Sequence, residues 1–215
     1  MIRAALLIAA STIASASPLS AQLYSAAEGD VLSRLIDTAC IDLTDDIGCE
    51  QVTLLASADG ELAADLFIYP NVQNDADAPI LFARNAVWSG AMIGDSPYLE
   101  RSETGALRIV TEQISSGRNP WTDVFTIVER GGKLVVAGRT FSTYDRIDNS
   151  TFRCDVNLLT GDWEASGTPP ATDGYGEEFE MAGRVAPSAP DLSRLDYQDG
   201  QPEICTDIRA RWAFD

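Results

Sequence analysis

The feature that most constrains the fold is a succession of short apolar or β-branched runs, each ended by turn-forming residues, that begins after Cys49. Such runs are typical of β-strands, and breaks such as Asp59-Gly60 and Thr160-Gly161 are typical of turns between antiparallel neighbours. We therefore predict a mainly β fold, a single-domain antiparallel sheet arranged as a meander, sandwich or barrel. The predicted strands are residues 51–56, 62–69, 80–87, 107–114, 124–130, 133–144, 151–159 and 163–166.

The clearest predicted hairpin joins residues 124–130 to residues 133–144 through Gly131-Gly132. Two glycines supply the positive φ angles that a tight hairpin turn with right-handed twist requires. Gly138, inside the second strand, indicates a β-bulge.

One α-helix is predicted near the N-terminus, over residues 26–39. Ser25 can cap it, and Val31, Leu35 and Ala39 recur at helical spacing. Residues 22–215 have a length suited to one β-rich domain. Its C-terminal part, residues 166–215, is predicted to be rich in loops, with a strand at 179–185 and a short turn of helix at 191–195.

Residues 1–21 have the order of a secretory signal peptide: Arg3 in a charged start, an apolar run, then small residues. Cleavage fits after either Ala16 or Ala21. The apolar run is shorter than the roughly twenty residues that cross a bilayer, so we expect no membrane insertion. The predicted location is periplasmic or secreted.

The four cysteines are Cys40, Cys49, Cys154 and Cys205. An even number in an exported chain predicts structural disulfides, and three connectivities satisfy four cysteines. The favoured pairing is Cys40 with Cys49, closing a short loop, and Cys154 with Cys205, holding the C-terminal segment to a strand. A metal site is the alternative, but the chain has no CxxC pair and no imidazole ligand.

The chain has no histidine, and Lys133 is its only lysine. This composition excludes Ser-His-Asp and Cys-His nucleophiles and HExxH zinc sites. Gly94-Asp95-Ser96, which resembles the start of a hydrolase motif, is therefore interpreted as a turn. The formal net charge of -18 is expected to repel nucleic acid and anionic lipid. No catalytic residue and no cofactor is predicted.

The predicted hairpin continues to Ser142-Thr143-Tyr144-Asp145, and the strand after it ends in Asn157-Leu158-Leu159-Thr160-Gly161. Together these two segments resemble a region of exported bacterial envelope proteins of uncharacterised activity. The match covers about a quarter of the mature chain and consists of turn and strand signatures. The resemblance implies an exported β-rich fold, with residues 63–69 in the same sheet as the hairpin, and transfers no catalytic residue.

Two acidic clusters are candidate calcium sites, because carboxylate oxygens are the ligands that calcium prefers. One contains Asp75 and Asp77, and the other contains Asp42, Asp45 and Asp46. Neither follows the EF-hand loop, and both are also typical of solvated surface loops.

Trp121, after Asn119-Pro120, is the tryptophan whose position best suits stacking on a sugar or a partner protein. The acidic run at residues 177–180 fits either catalytic carboxylates or a charged edge strand that resists aggregation.

These observations favour an acidic, non-enzymatic binding module in the periplasm or outside the cell. Its partner is predicted to be a basic envelope protein, which it binds or inhibits, because an acidic surface attracts cationic proteins. The alternative is a carboxylate-dependent hydrolase of envelope glycans, and a third hypothesis is a structural protein stabilised by calcium. The sequence indicates no oligomeric state.

Overall fold

The computed structural model describes residues 26–44, 48–71, 78–171 and 176–212. The predicted signal peptide at residues 1–21 lies outside these ranges, as do Asp75 and Asp77. No helix among the described residues has the length and apolar character needed to span a bilayer.

The described chain is mainly β, as predicted, with one helix near each end. The helices are α1 (Ala26–Ser33) and α2 (Glu203–Arg211). The strands are β1 (Leu35–Ile41), β2 (Glu50–Ala56), β3 (Ala63–Tyr69), β4 (Leu81–Trp88), β5 (Tyr98–Arg101), β6 (Leu107–Gln113), β7 (Trp121–Arg130), β8 (Lys133–Tyr144), β9 (Thr151–Asn157), β10 (Asp162–Thr168) and β11 (Phe179–Arg184).

The strands form two antiparallel sheets in which neighbours along the chain are neighbours in space. Strands β1 to β4 make a four-stranded sheet, and β5 to β11 make a seven-stranded sheet. The expectation that residues 63–69 share a sheet with the hairpin is therefore wrong. They form β3, which pairs with β2 and β4, and the chain changes sheets between β4 and β5.

The predicted Gly-Gly hairpin is confirmed as the turn between β7 and β8. Gly131 and Gly132 have φ angles of 60° and 80°, which residues with a Cβ rarely adopt. The predicted bulge is confirmed one residue away from Gly138. Thr126 lies opposite Gly138 and Ile127 lies opposite Val136, so one residue of β8 is unpaired.

The predicted N-terminal helix is too long, because α1 ends at Ser33 and the residues from Leu35 onward form β1. Thr38 lies opposite Thr53, and Ala56 exchanges two hydrogen bonds with Arg34 at 2.7 and 2.9 Å. Val31 remains 45% exposed, so the helical apolar spacing has no core to pack against. Pairing with β2 outweighs that local periodicity.

Two apolar cores lie along one face of the seven-stranded sheet. The first fills the space between the two sheets, and the second lies between the seven-stranded sheet and α2. The largest fully buried side chains of the first core include Leu54, Leu66, Ile68, Leu107, Ile109, Ile127 and Leu192, and the second contains Phe141, Phe152, Val156, Trp163, Phe179 and Ile208.

A buried ion pair between Asp123 and Arg139 lies where the two cores meet. The Asp123 carboxylate accepts three hydrogen bonds from the guanidinium, at 2.6, 3.0 and 3.1 Å. The guanidinium also packs 4.7 Å over the Phe125 ring and donates to the carbonyl of Gly200 at 2.7 Å. Burial raises the pKa of Asp123, and the guanidinium opposes that rise.

The C-terminal part contains more regular structure than predicted. The expected strand and helical turn are confirmed as β11 and a 3-10 turn at Leu192–Arg194. Helix α2 was not predicted. Its signal is present in the sequence, because Pro202 precedes it and Cys205 and Ile208 are spaced three residues apart on the buried side.

Both disulfides have the favoured connectivity. Cys40 and Cys49 are joined with their Cα atoms 5.3 Å apart, and Cys154 and Cys205 with theirs 5.8 Å apart. The first bond links β1 to the residue before β2. The second links the buried face of β9 to α2, where a loop was expected.

Removing the two disulfides separately is expected to destabilise the fold unequally. The Cys154–Cys205 bond spans 51 residues and the Cys40–Cys49 bond spans 9. The chain-entropy relation assigns them about 4 and about 2.5 kcal/mol of free energy of unfolding. Urea unfolding of Cys154→Ala/Cys205→Ala should therefore show the larger loss. Equal losses in the two double variants would contradict the entropic explanation.

Asp123→Ala leaves the Arg139 guanidinium buried without its counter-charge, so the free energy of unfolding should fall by about 3–5 kcal/mol. The double variant Asp123→Ala/Arg139→Met removes the unpaired charge and should recover part of that loss. Urea denaturation of both variants measures the difference. If the double variant is as unstable as the single one, charge burial is not the cause.

Candidate functional site

The second face of the seven-stranded sheet carries polar side chains and points away from both cores; we call it the open face. The strand registers align one row across it: Thr122 on β7, Ser142 on β8, Arg153 on β9, Ser166 on β10 and Glu180 on β11. Neighbouring strands lie about 4.8 Å apart, so this row extends about 19 Å across the sheet.

One end of the open face holds a mainly apolar depression of about 340 Å³, which we call the aromatic groove. Tyr144 is 47% exposed and Ile114 is 42% exposed, so both offer apolar surface to solvent. Hydroxyl groups lie among the apolar side chains. The lining residues are Ile114, Pro120, Trp121, Thr122, Ser142, Thr143, Tyr144, Thr151, Phe152, Arg153, Ser166 and Gly167.

Trp121, the tryptophan predicted to bind, lies in the wall of this groove. Its ring makes an edge contact with Trp88 at 5.0 Å between centroids and stacks near Phe141 at 6.5 Å. Trp121 is therefore fixed by the core and also borders the groove. Because these ring contacts lie on the buried face of the sheet, the Trp121 indole supports the groove from behind, and the exposed aromatic surface of the groove comes from Tyr144.

Next to the aromatic groove lies a polar depression of about 430 Å³, which we call the acidic groove. Asp155 accepts a hydrogen bond from Thr140 at 2.5 Å and lies 3.5 Å from Arg153. Within the described part of the chain, Glu164 and Glu180 have no ion-pair partner. The lining residues are Arg153, Asp155, Glu164, Ala165, Ser166, Glu180, Met181 and Ala182.

The two grooves adjoin each other, because Arg153 and Ser166 line both of them. Arg153 is 60% exposed and lies on β9, between the aromatic and acidic sides. Along the two grooves, the open face is thus apolar at one side, carries the Arg153 cation in the middle and is anionic at the other side.

Loops at the strand ends hold the aromatic groove in shape. The Asp95 carboxylate accepts backbone N–H groups of Ile114 and Ser115, both at 3.0 Å, and the Ser115 hydroxyl. Arg146 donates to the Ile114 carbonyl at 2.6 Å. The hydroxyl of Thr143 donates to the Pro120 carbonyl at 2.8 Å. The groove therefore has a fixed rim.

Asp95 belongs to the Gly94-Asp95-Ser96 sequence that was interpreted as a turn. Its side chain is buried and fully engaged in hydrogen bonds, which is a structural role. These hydrogen bonds hold the pKa of Asp95 below its ordinary value, and the bond from the Ser115 hydroxyl contributes most.

Of the acidic residues predicted as calcium ligands, Asp42 is the one that the structure describes, and it lines neither groove. Asp75 and Asp77 lie outside the described residues, and so do Asp45 and Asp46. Asp42 is exposed. Among the described residues, no three His, Cys, Asp or Glu side chains are grouped as metal ligands.

Sequence analysis did not identify Tyr144, Arg153, Asp155 or Glu164 as site residues. The alternation along β9 and β10 places the charged side chains of Arg153, Asp155 and Glu164 on one face, and this signal is present in the sequence. What the sequence lacks is the register that aligns them with Thr122 and Glu180.

The pH dependence of stability should change in Asp95→Asn. A lowered pKa in the folded state means that the ionised carboxylate stabilises the fold. This stabilisation is present above the ordinary value of 3.8 and is lost as the pH falls through the lower folded value. The variant should be less stable than the parent at neutral pH and lose less stability below about pH 4. Urea midpoints of the parent protein and the variant, measured across this pH range, give the pH dependence of stability of each.

Asp207→Asn is the matched control for this experiment, because Asp207 is exposed on α2. It should keep the acid dependence of the parent protein. If Asp95→Asn also keeps that dependence, the hydrogen bonds to Asp95 do not stabilise its ionised form.

In comparisons with known proteins, no protein-family model, no curated protein and no solved structure matches this chain.

Proposed function

We propose that this protein is an exported, non-enzymatic binding module that captures a basic protein of the cell envelope on its open face. The observation that carries the proposal is the pair of carboxylates on Glu164 and Glu180. They face an open groove and have no cation of their own among the described residues. Unpaired exposed carboxylates beside an apolar groove suit a cationic partner.

The charge of the whole chain supports the same proposal. A formal net charge of -18 produces a negative potential that accelerates encounters with cationic proteins. These carboxylates are exposed, so salt screens their attraction over roughly 8–10 Å at physiological ionic strength. Binding should therefore weaken steeply as salt is added.

Two disulfides and the order of residues 1–21 support an oxidising compartment outside the cytoplasm. Basic hydrolases that act on the cell wall are cationic proteins found in this setting. Blocking such a lysozyme-like enzyme is the most specific form of the proposal.

The alternative, hydrolysis of envelope glycans, has one observation in its favour. Asp155 and Glu164 lie directly opposite each other on neighbouring strands and face the same groove. Retaining glycosidases use two carboxyl groups about 5–5.5 Å apart. However, Asp155 is 47% exposed and Glu164 is also exposed, whereas a general acid requires a carboxyl kept in an apolar pocket. Binding is therefore the better-supported function.

Neutralising the acidic groove should weaken binding to a basic partner. We expect Glu164→Gln/Glu180→Gln to bind lysozyme about tenfold more weakly at low salt, because two exposed ion pairs are lost. Binding of the parent protein should fall by a similar factor as the ionic strength rises from about 0.02 M to about 0.5 M. Titration calorimetry measures both effects.

Glu103→Gln/Glu203→Gln is the control, because it removes the same total charge at exposed positions away from the grooves. It should bind almost as tightly as the parent. Lysozyme with acetylated lysines should not bind. If salt and both double variants leave affinity unchanged, the open face does not capture cations. Turnover of peptidoglycan that is lost in Glu164→Gln would establish the hydrolase instead.

A further inference from the structure

We propose that the open face recognises an extended segment with an apolar side chain at one position and a basic side chain four residues later. The apolar side chain occupies the aromatic groove, and the basic side chain lies on Glu164 and Glu180. This inference rests on the proposed function, since it specifies which feature of a cationic partner the site recognises.

The order of the grooves across the sheet sets the order of side chains in the ligand. Ser142, which lines the aromatic groove on β8, lies in the same row as Glu180, three strands away on β11. At about 4.8 Å per strand, the distance across the sheet is about 14 Å. Glu164, the other carboxylate without an ion-pair partner among the described residues, lies one strand nearer, on β10.

An extended chain rises about 3.3 Å per residue, and its side chains alternate between two faces. Side chains that share a face are therefore about 6.6, 13 or 20 Å apart along the chain. Only the four-residue spacing, about 13 Å, places a second side chain over the acidic groove when the first is in the aromatic groove.

Arg153 excludes a basic side chain at the intermediate position. It lies on β9 between the two grooves and is 60% exposed, so it faces the residue two positions after the apolar one. Like charges at this separation repel, and a small polar residue or an acid is tolerated. The site therefore rejects uniformly basic segments and favours an apolar, neutral, basic order on one face.

The apolar position is best filled by an aromatic side chain. Tyr144 is 47% exposed at the border of a groove of about 340 Å³, and its ring can contact a second ring at the edge or face. The hydroxyl groups of Thr122 and Ser142 can bind the backbone of the segment as it passes over the sheet.

Two seven-residue peptides of identical composition test the spacing. Acetyl-Gly-Phe-Ser-Ser-Ser-Arg-Gly-amide has the proposed order, and acetyl-Gly-Phe-Ser-Arg-Ser-Ser-Gly-amide places the base opposite Arg153. The first should bind about fivefold more tightly, because it gains an ion pair and avoids a repulsion. Titration followed by amide chemical shifts measures affinity and shows whether β8 to β11 respond.

Variants then test the aromatic end of the site separately from the acidic end. Tyr144→Ser should weaken binding of the Phe peptide about threefold to fivefold and leave a matched peptide with Ala in place of Phe unaffected. Tyr98→Ser is the control, because Tyr98 lies on the same face of the sheet at the opposite edge, on β5. Circular dichroism confirms that each variant is folded.

Equal affinities for the two peptides, or no binding of either, would overturn this inference. If lysozyme binding remains sensitive to salt and to Glu164→Gln/Glu180→Gln in that case, the proposed function stands and only the spacing is wrong. If lysozyme binding is absent as well, both fail.

Discussion

The ion pair between Asp123 and Arg139 lies at the junction of the two cores and bonds the seven-stranded sheet to the C-terminal segment. One core lies between the two sheets and the other lies under α2, and both occupy the same face of one long sheet. A polar pair at their junction is stable only because the guanidinium is bonded to the carboxylate, to a backbone carbonyl and to an aromatic face at once. Arg139 thereby fixes the C-terminal segment at Gly200 just before it returns as α2.

The same arrangement explains why the open face exists. On one face, strands β5 to β11 pack their apolar side chains against the small sheet along part of its width and against α2 along the rest. Alternation along each strand places the polar side chains on the second face. On β7, Trp121 and Asp123 point to the buried face, whereas Thr122 between them lies on the open face. Each strand that lines the grooves is thus held from behind by packed side chains.

Much of the fold follows from local sequence chemistry. Turns depend on a few adjacent residues, so the Gly131-Gly132 turn and the bounds of β8 match the prediction, whereas β7 begins three residues before the predicted strand, at Trp121. The pairing of Cys154 with Cys205 is the favoured one of the three connectivities that the sequence allows. The apolar spacing of residues 35–39 fits a helix, and the sequence therefore predicts one there. In the structure these residues pair with β2 and form a strand. The grooves could not be predicted, since they combine residues from Thr122 to Glu180 through the registers of five strands.

The Cys154–Cys205 bond has a further consequence for the open face. Cys154 lies on β9 between Arg153 and Asp155, so the strand is covalently anchored on one side and presents its two charged side chains on the other. A chain whose thiols are still reduced has α2 untethered behind this strand, and the floor of both grooves is then held by noncovalent packing alone. The shape of the open face is thereby coupled to oxidation: we expect the groove floor to reach its final rigidity only after Cys154 and Cys205 have been joined.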